Sequence, residues 1–127
     1  MQPKSRPKFL NLFTLASKMS ITAQVSILHR ISGLLLFLAT PFILFILHKS
    51  LTSSSTYAAL YGFIANPVMK IIYILLIWAF LHHMCAGIRF LFLDIDKGVE
   101  IKRAKTTASA VVVISLILTV IFGVLIW

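Results

Sequence analysis

Five ionisable side chains stand inside long apolar stretches of this sequence: His29, Arg30, His82, His83 and Arg89. Such groups are costly in lipid and mark functional positions by default. Imidazoles there can ligate a metal or hydrogen-bond to a neighbouring helix. Guanidiniums can hold an anion, or a carbonyl oxygen that gains negative charge. His83, Gly87, Phe90 and Asp94 recur at i, i+4, i+7 and i+11, which places them on one stripe of a helix, and Ala79 extends that stripe. A small residue therefore lies one turn to either side of His83, leaving room for another helix or a flat macrocycle. His82 and Arg89 share a second face, about 100° away. Only one of the two adjacent histidines can point at a given ligand, and His82 reads as structural or as part of a subunit interface. Ser26, Arg30 and Gly33 follow i, i+4, i+7, so a hydroxyl and a guanidinium share one face of the preceding element.

The elements that position these residues follow from the apolar runs. Hydrophobic residues make up 60% of the 127 residues and charged residues 12%. The mean hydropathy is +1.02. A soluble domain carries about 45–50% apolar and about 25% charged residues, and a chain this short cannot bury such an excess. A soluble enzyme, a disordered chain and a disulfide scaffold are excluded. Cys85 is the one cysteine, and no Cys-x-x-Cys-His stands ready for covalent haem attachment. Three continuous runs, about 27–47, 68–93 and 108–127, each suffice to cross a hydrocarbon core of about 30 Å. They lack the alternation of a barrel strand. The expectation is an all-α, single-domain membrane protein of three transmembrane helices, with Pro41 able to kink the first. The stretch 49–67, with its polar tract Ser53-Ser54-Ser55-Thr56, reads as a connection, as does 94–107.

Twelve Lys and Arg against three Asp and Glu give a formal charge of +9. The cations concentrate before the first run (Lys4, Arg6, Lys8, Lys18) and in the second connection (Lys97, Lys102, Arg103, Lys105). That distribution points to membrane orientation rather than to nucleic acid. Residues 1–25 and the second connection are expected in the cytoplasm, with Trp127 at the outer interface. The stretch Phe9–Thr14 is too short and broken for the core of a signal peptide. A bacterial inner membrane is the simpler location, ahead of a mitochondrial one.

Depth then sorts the five groups. His83 lies about 15 Å from the end of its run at Leu93, near the membrane middle, and Arg89 lies about 9 Å closer to the cytoplasm. His29 and Arg30 sit near the cytoplasmic start of the first run. A mid-membrane histidine suits a b-type haem iron, with His29, Arg30 and Arg89 above it for the propionates. By this reckoning His29 is too shallow to be a second iron ligand, and His48 lies at the opposite end, so the second ligand belongs to another chain. A helix–helix hydrogen bond explains one such histidine equally well, and Arg30 and Arg89 also fit as interfacial cations.

Two motifs carry a resemblance. Ser26-Ile27-Leu28-His29-Arg30-Ile31-Ser32-Gly33 resembles the SxxHRxSG signature of the succinate dehydrogenase cytochrome b556 subunits, and His83-x-x-x-Gly87-Ile88-Arg89 with Asp94 resembles the second signature of that family. The resemblance covers nearly the whole chain. It implies one of two small membrane anchors of complex II, partnered by a flavoprotein, an iron–sulfur subunit and a second anchor. It implies His83 as an axial ligand of haem b, with the other axial histidine supplied by the second anchor. It implies Ser26 and Arg30 at the ubiquinone site, and His29, Arg30 and Arg89 near the haem propionates. Phe90 departs from the family, many members of which have histidine there. Serine and arginine are apt donors to a quinone carbonyl that gains charge on reduction. The runners-up are a fumarate reductase anchor and, from another class, a haem-free transporter or assembly protein. A transporter usually arranges ionisable groups along a central pathway between repeated helices, and no repeat occurs here.

Overall fold

The computed structural model describes residues 18–127. The basic cluster Lys4, Arg6 and Lys8 and the stretch 9–14 lie outside the described residues. Four helices account for nearly all of the rest: α1 (Ile21–Thr52), α2 (Ser54–Ile64), α3 (Pro67–Asp94) and α4 (Ile101–Ile126). Three of them, α1, α3 and α4, are long and apolar enough to span a membrane.

Each boundary has a local cause. Asn66 caps α3, its side chain accepting from the Val68 amide at 2.9 Å, and Pro67 takes the first helical position, where its missing N–H costs nothing. The end of α3 is a Schellman turn. The Lys97 amide reaches the Phe92 carbonyl at 2.9 Å and the Asp96 amide the Leu93 carbonyl at 3.0 Å, while Asp96 adopts a left-handed φ of 57°. Gly98, at φ 80°, completes the reversal into α4.

Two expectations change. The polar tract read as a connection is a helix start: Ser53 caps α2, accepting from the Thr56 amide at 3.1 Å. Serines favour such caps because their hydroxyls satisfy orphan amides. The spanning helices also run past the apolar stretches, α1 beginning at Ile21 and α4 at Ile101. Hydropathy marks what prefers lipid, whereas backbone hydrogen bonds continue into the polar flanks. Helix α1 passes through Pro41 without ending.

Helix α3 is central, packing antiparallel against α1 on one side and α4 on the other, while α2 lies against α1. The α3–α4 register is tied at both ends: Arg89 meets Thr107, and Lys70 donates to the Trp127 carbonyl at 3.0 Å. Small side chains fill the buried seam, with Val25, Ala86, Ala108 and Val111 forming its core. In lipid, small residues let helices approach closely, and that approach supplies the packing energy. Large apolar residues such as Phe37, Phe42, Phe80 and Leu91 face outward.

Candidate functional site

The α1–α3 seam carries the site. His83 projects from α3 onto α1, and its ring stacks on that of His29 with centroids 4.1 Å apart and planes 8° from parallel. His83 Nδ1 lies 3.0 Å from the His29 backbone carbonyl and 3.4 Å from Ser32 Oγ. A carbonyl can only accept, so Nδ1 carries the proton and Nε2 keeps its lone pair. No hydrogen bond among the described residues uses Nε2 of His83.

A glycine of α1 makes this packing possible. A Cβ on Gly33 would stand 2.8 Å from His83 Cε1, and one on Gly87 would stand 3.5 Å from His29 Nε2. Gly33 thus opens a notch in α1 for the His83 ring, whereas a methyl at Gly87 would meet the His29 ring at ordinary contact distance. The small residues flanking His83 were expected to admit a helix or a macrocycle; Gly87 faces the His29 ring of α1.

The stack corrects the depth assigned to His29. Counting from the start of the apolar run put it near the membrane edge. Helix α1 begins six residues before that run, at Ile21, and the two rings lie level. The two imidazoles as placed cannot serve one iron, because axial ligands approach from opposite sides of a macrocycle and these rings lie face to face.

Arg30 is exposed and Ser26 half-buried. Among the described residues neither side chain makes a hydrogen bond or ion pair, which leaves the serine–arginine pair open to a partner beside this chain. Arg89 goes elsewhere. It is only 7% exposed, and it donates from Nε to Thr107 Oγ1 at 3.0 Å and from Nη2 to the Ala104 carbonyl at 3.2 Å. The structure therefore separates the three residues expected near propionates: His29 turns inward, Arg30 outward, and Arg89 toward α4. Phe90 sits between them, its ring edge-on to His29 at 5.1 Å and 5.4 Å from the Arg89 guanidinium carbon.

His82 is 1% exposed and packs beside Trp78, with ring centroids 5.5 Å apart. Among the described residues its Nε2 has no hydrogen-bond partner. The adjacent histidines leave α3 at directions about 100° apart, so only His83 stacks on His29. Among the described residues no group of three or more His, Cys, Asp or Glu could hold a metal ion by itself. Sequence reasoning missed Ser32 and Thr107 as partners of His83 and Arg89. Ser32 was visible only as a motif letter, although it follows His29 by three residues and so shares its face.

Residues 2–122 match the family described as succinate dehydrogenase/fumarate reductase transmembrane subunit. Curated relatives agree. A protein of Rickettsia bellii named succinate dehydrogenase cytochrome b556 subunit is 40% identical over 114 residues, covering 87% of this chain and 82% of the relative. One of the same name from Coxiella burnetii is 35% identical over 106 residues, 83% of this chain and 85% of the relative. Its counterpart in Paracoccus denitrificans is 30% identical over 104 residues, 82% and 80% of the two chains. With three helices suited to crossing a bilayer, this multi-pass membrane chain belongs to the family of succinate dehydrogenase/fumarate reductase transmembrane subunits.

Proposed function

We propose that this chain is a membrane anchor of succinate dehydrogenase that holds one side of haem b and borders the ubiquinone-reduction site. The observation that carries the reading is the imidazole of His83, whose Nδ1 is bound to the His29 carbonyl at 3.0 Å while Nε2 stays free to donate. Metal-ligating histidines commonly spend their other ring nitrogen in this way. The iron would be held by His83 Nε2, and the haem would supply a one-electron redox centre within the membrane. A second histidine holding the iron would come from the partner anchor, since His29 is held face to face with His83.

The remaining residues act at the end of the bundle that carries the α3–α4 turn. His29 and Arg30 lie toward that end, where the exposed Arg30 guanidinium would hold the propionates. Arg89 adds positive potential there while its N–H groups brace α4. Ser26 and Arg30 donate hydrogen bonds to a quinone carbonyl, stabilising the oxygen as it gains charge. Arginine suits the task because its charge and fork are fixed. Both groups border space outside this chain's own bundle, so the iron–sulfur subunit and the second anchor complete the pocket. Succinate is oxidised by the flavoprotein, and the iron–sulfur subunit relays the electrons. The excess of Lys and Arg at the α3–α4 turn puts that end in the cytoplasm of a bacterial inner membrane, with Trp127 on the periplasmic side. The chain alone is not a dehydrogenase.

The test is purification of the complex through a tag on this chain. Co-purifying flavin and iron–sulfur subunits, together with a b-type α band in the reduced-minus-oxidised spectrum, support the reading. Their joint absence overturns it in favour of a transporter or assembly protein.

A further inference from the structure

Ser32 is fully buried on α1, one position before the glycine notch that receives His83. Its hydroxyl donates to the His29 carbonyl at 2.9 Å. That bond uses the hydroxyl's only proton, so the oxygen presents lone pairs to His83 Nδ1, 3.4 Å away. The His29 carbonyl accepts from the same Nδ1 at 3.0 Å. Nitrogen, carbonyl and hydroxyl close a triangle in which one N–H is shared between two acceptors.

A second buried serine provides the comparison. Ser115 on α4 is equally buried and makes the same bond to the carbonyl three residues back, Val112, at 3.0 Å. Serines in membrane helices commonly bond back in this way. Only Ser32 also has an imidazole nitrogen against its oxygen.

We infer that Ser32 is a positioning residue for the haem-ligating imidazole, which it holds in the Nδ1-protonated form and in fixed rotation through the Ser32–His29 carbonyl–His83 triangle. The inference rests on His83 as an iron ligand. Two acceptors on Nδ1–H push electron density toward Nε2 and make the imidazole a stronger donor. A stronger donor favours ferric over ferrous iron, and so lowers the reduction potential. Fixing the ring plane also fixes its angle to the pyrrole nitrogens.

The experiment uses the assembled, membrane-extracted complex carrying Ser32→Ala, Ser32→Cys, Ser115→Ala or His83→Leu. Haem content, the midpoint potential from optical titration and the low-field resonance of the ferric haem are measured. Ser32→Ala is expected to keep the b-type band, raise the midpoint, shift the resonance and weaken haem retention by about tenfold, the lower end for lost outer-shell partners. Ser32→Cys, with a weaker acceptor of similar shape, falls between wild type and Ser32→Ala and carries the test if the alanine variant fails to assemble. Ser115→Ala leaves midpoint and resonance at their wild-type values. An unchanged midpoint and resonance in both Ser32 variants, with the band still lost in His83→Leu, overturns the role of Ser32 and leaves the haem reading intact. A band that survives His83→Leu overturns both. A midpoint shift in Ser115→Ala equal to that in Ser32→Ala assigns the effect to packing and also overturns the inference.

Discussion

The two seams along α3 are built to opposite plans. Toward α4, small apolar residues meet in register and polar contacts close on themselves: Arg89 on Thr107 and Ala104 at one end, Lys70 on Trp127 at the other. Toward α1, two imidazoles and a serine lie in the seam, Gly33 is needed to admit the His83 ring, and among the described residues His83 Nε2 takes part in no hydrogen bond. A seam whose cations are bound across it holds helices together. A seam that leaves a base available and backs it with a fixed hydrogen bond prepares that base for a ligand. The α3–α4 seam thus fits a structural role and the α1–α3 seam fits the ligand site proposed above, although both contain ionisable residues.

The contrast can be broken by substitution on either side. The largest effect is expected at the outer face of α1: Ser26→Ala or Arg30→Ala lowers quinone reduction by about 10²-fold, as for removal of one positioned donor. Succinate oxidation with an artificial acceptor persists. Unchanged quinone turnover in Arg30→Ala would remove the quinone site from this face. On the structural seam, Arg89→Ala deletes two hydrogen bonds of a buried cation and is expected to cost about 2 kcal/mol, read as a lower thermal midpoint of the assembled complex. The haem midpoint is expected to change little. A haem shift without a loss of stability would return Arg89 to the propionates. Gly33→Ala places a methyl 2.8 Å from His83 Cε1, so the ring must move. Haem retention is expected to fall by about tenfold, measured as haem per flavin. The smallest effect belongs to Thr107→Val, about 0.6 kcal/mol for one hydrogen bond between membrane helices, with no change in the optical spectrum.

Much of this was legible in the sequence. Three apolar runs announced the spanning helices, and helical spacing gave the adjacent His82 and His83 different directions. Depth was less legible. Hydropathy places the membrane edge, but the packing of antiparallel helices depends on where their backbones begin, and α1 begins well before its apolar run. Hence His29 seemed shallow, although its ring lies against that of His83. The partners of Arg89 within the chain were not legible either. Spacing shows which face a long side chain leaves from, and the partner that captures it, here Thr107 with the Ala104 carbonyl, lies 18 and 15 residues away. Helix α2 was missed because a serine-rich tract reads as a loop, whereas Ser53 serves as a cap.

The adjacent histidines allow the most direct test of the contrast. Reduced-minus-oxidised spectra are recorded on complexes purified with His83→Leu and with His82→Leu. The account predicts that the b-type α band disappears in His83→Leu and persists in His82→Leu, with flavin and iron–sulfur subunits retained in both. A band that persists in His83→Leu and disappears in His82→Leu would contradict it, moving the iron from the α1–α3 seam to the buried interior.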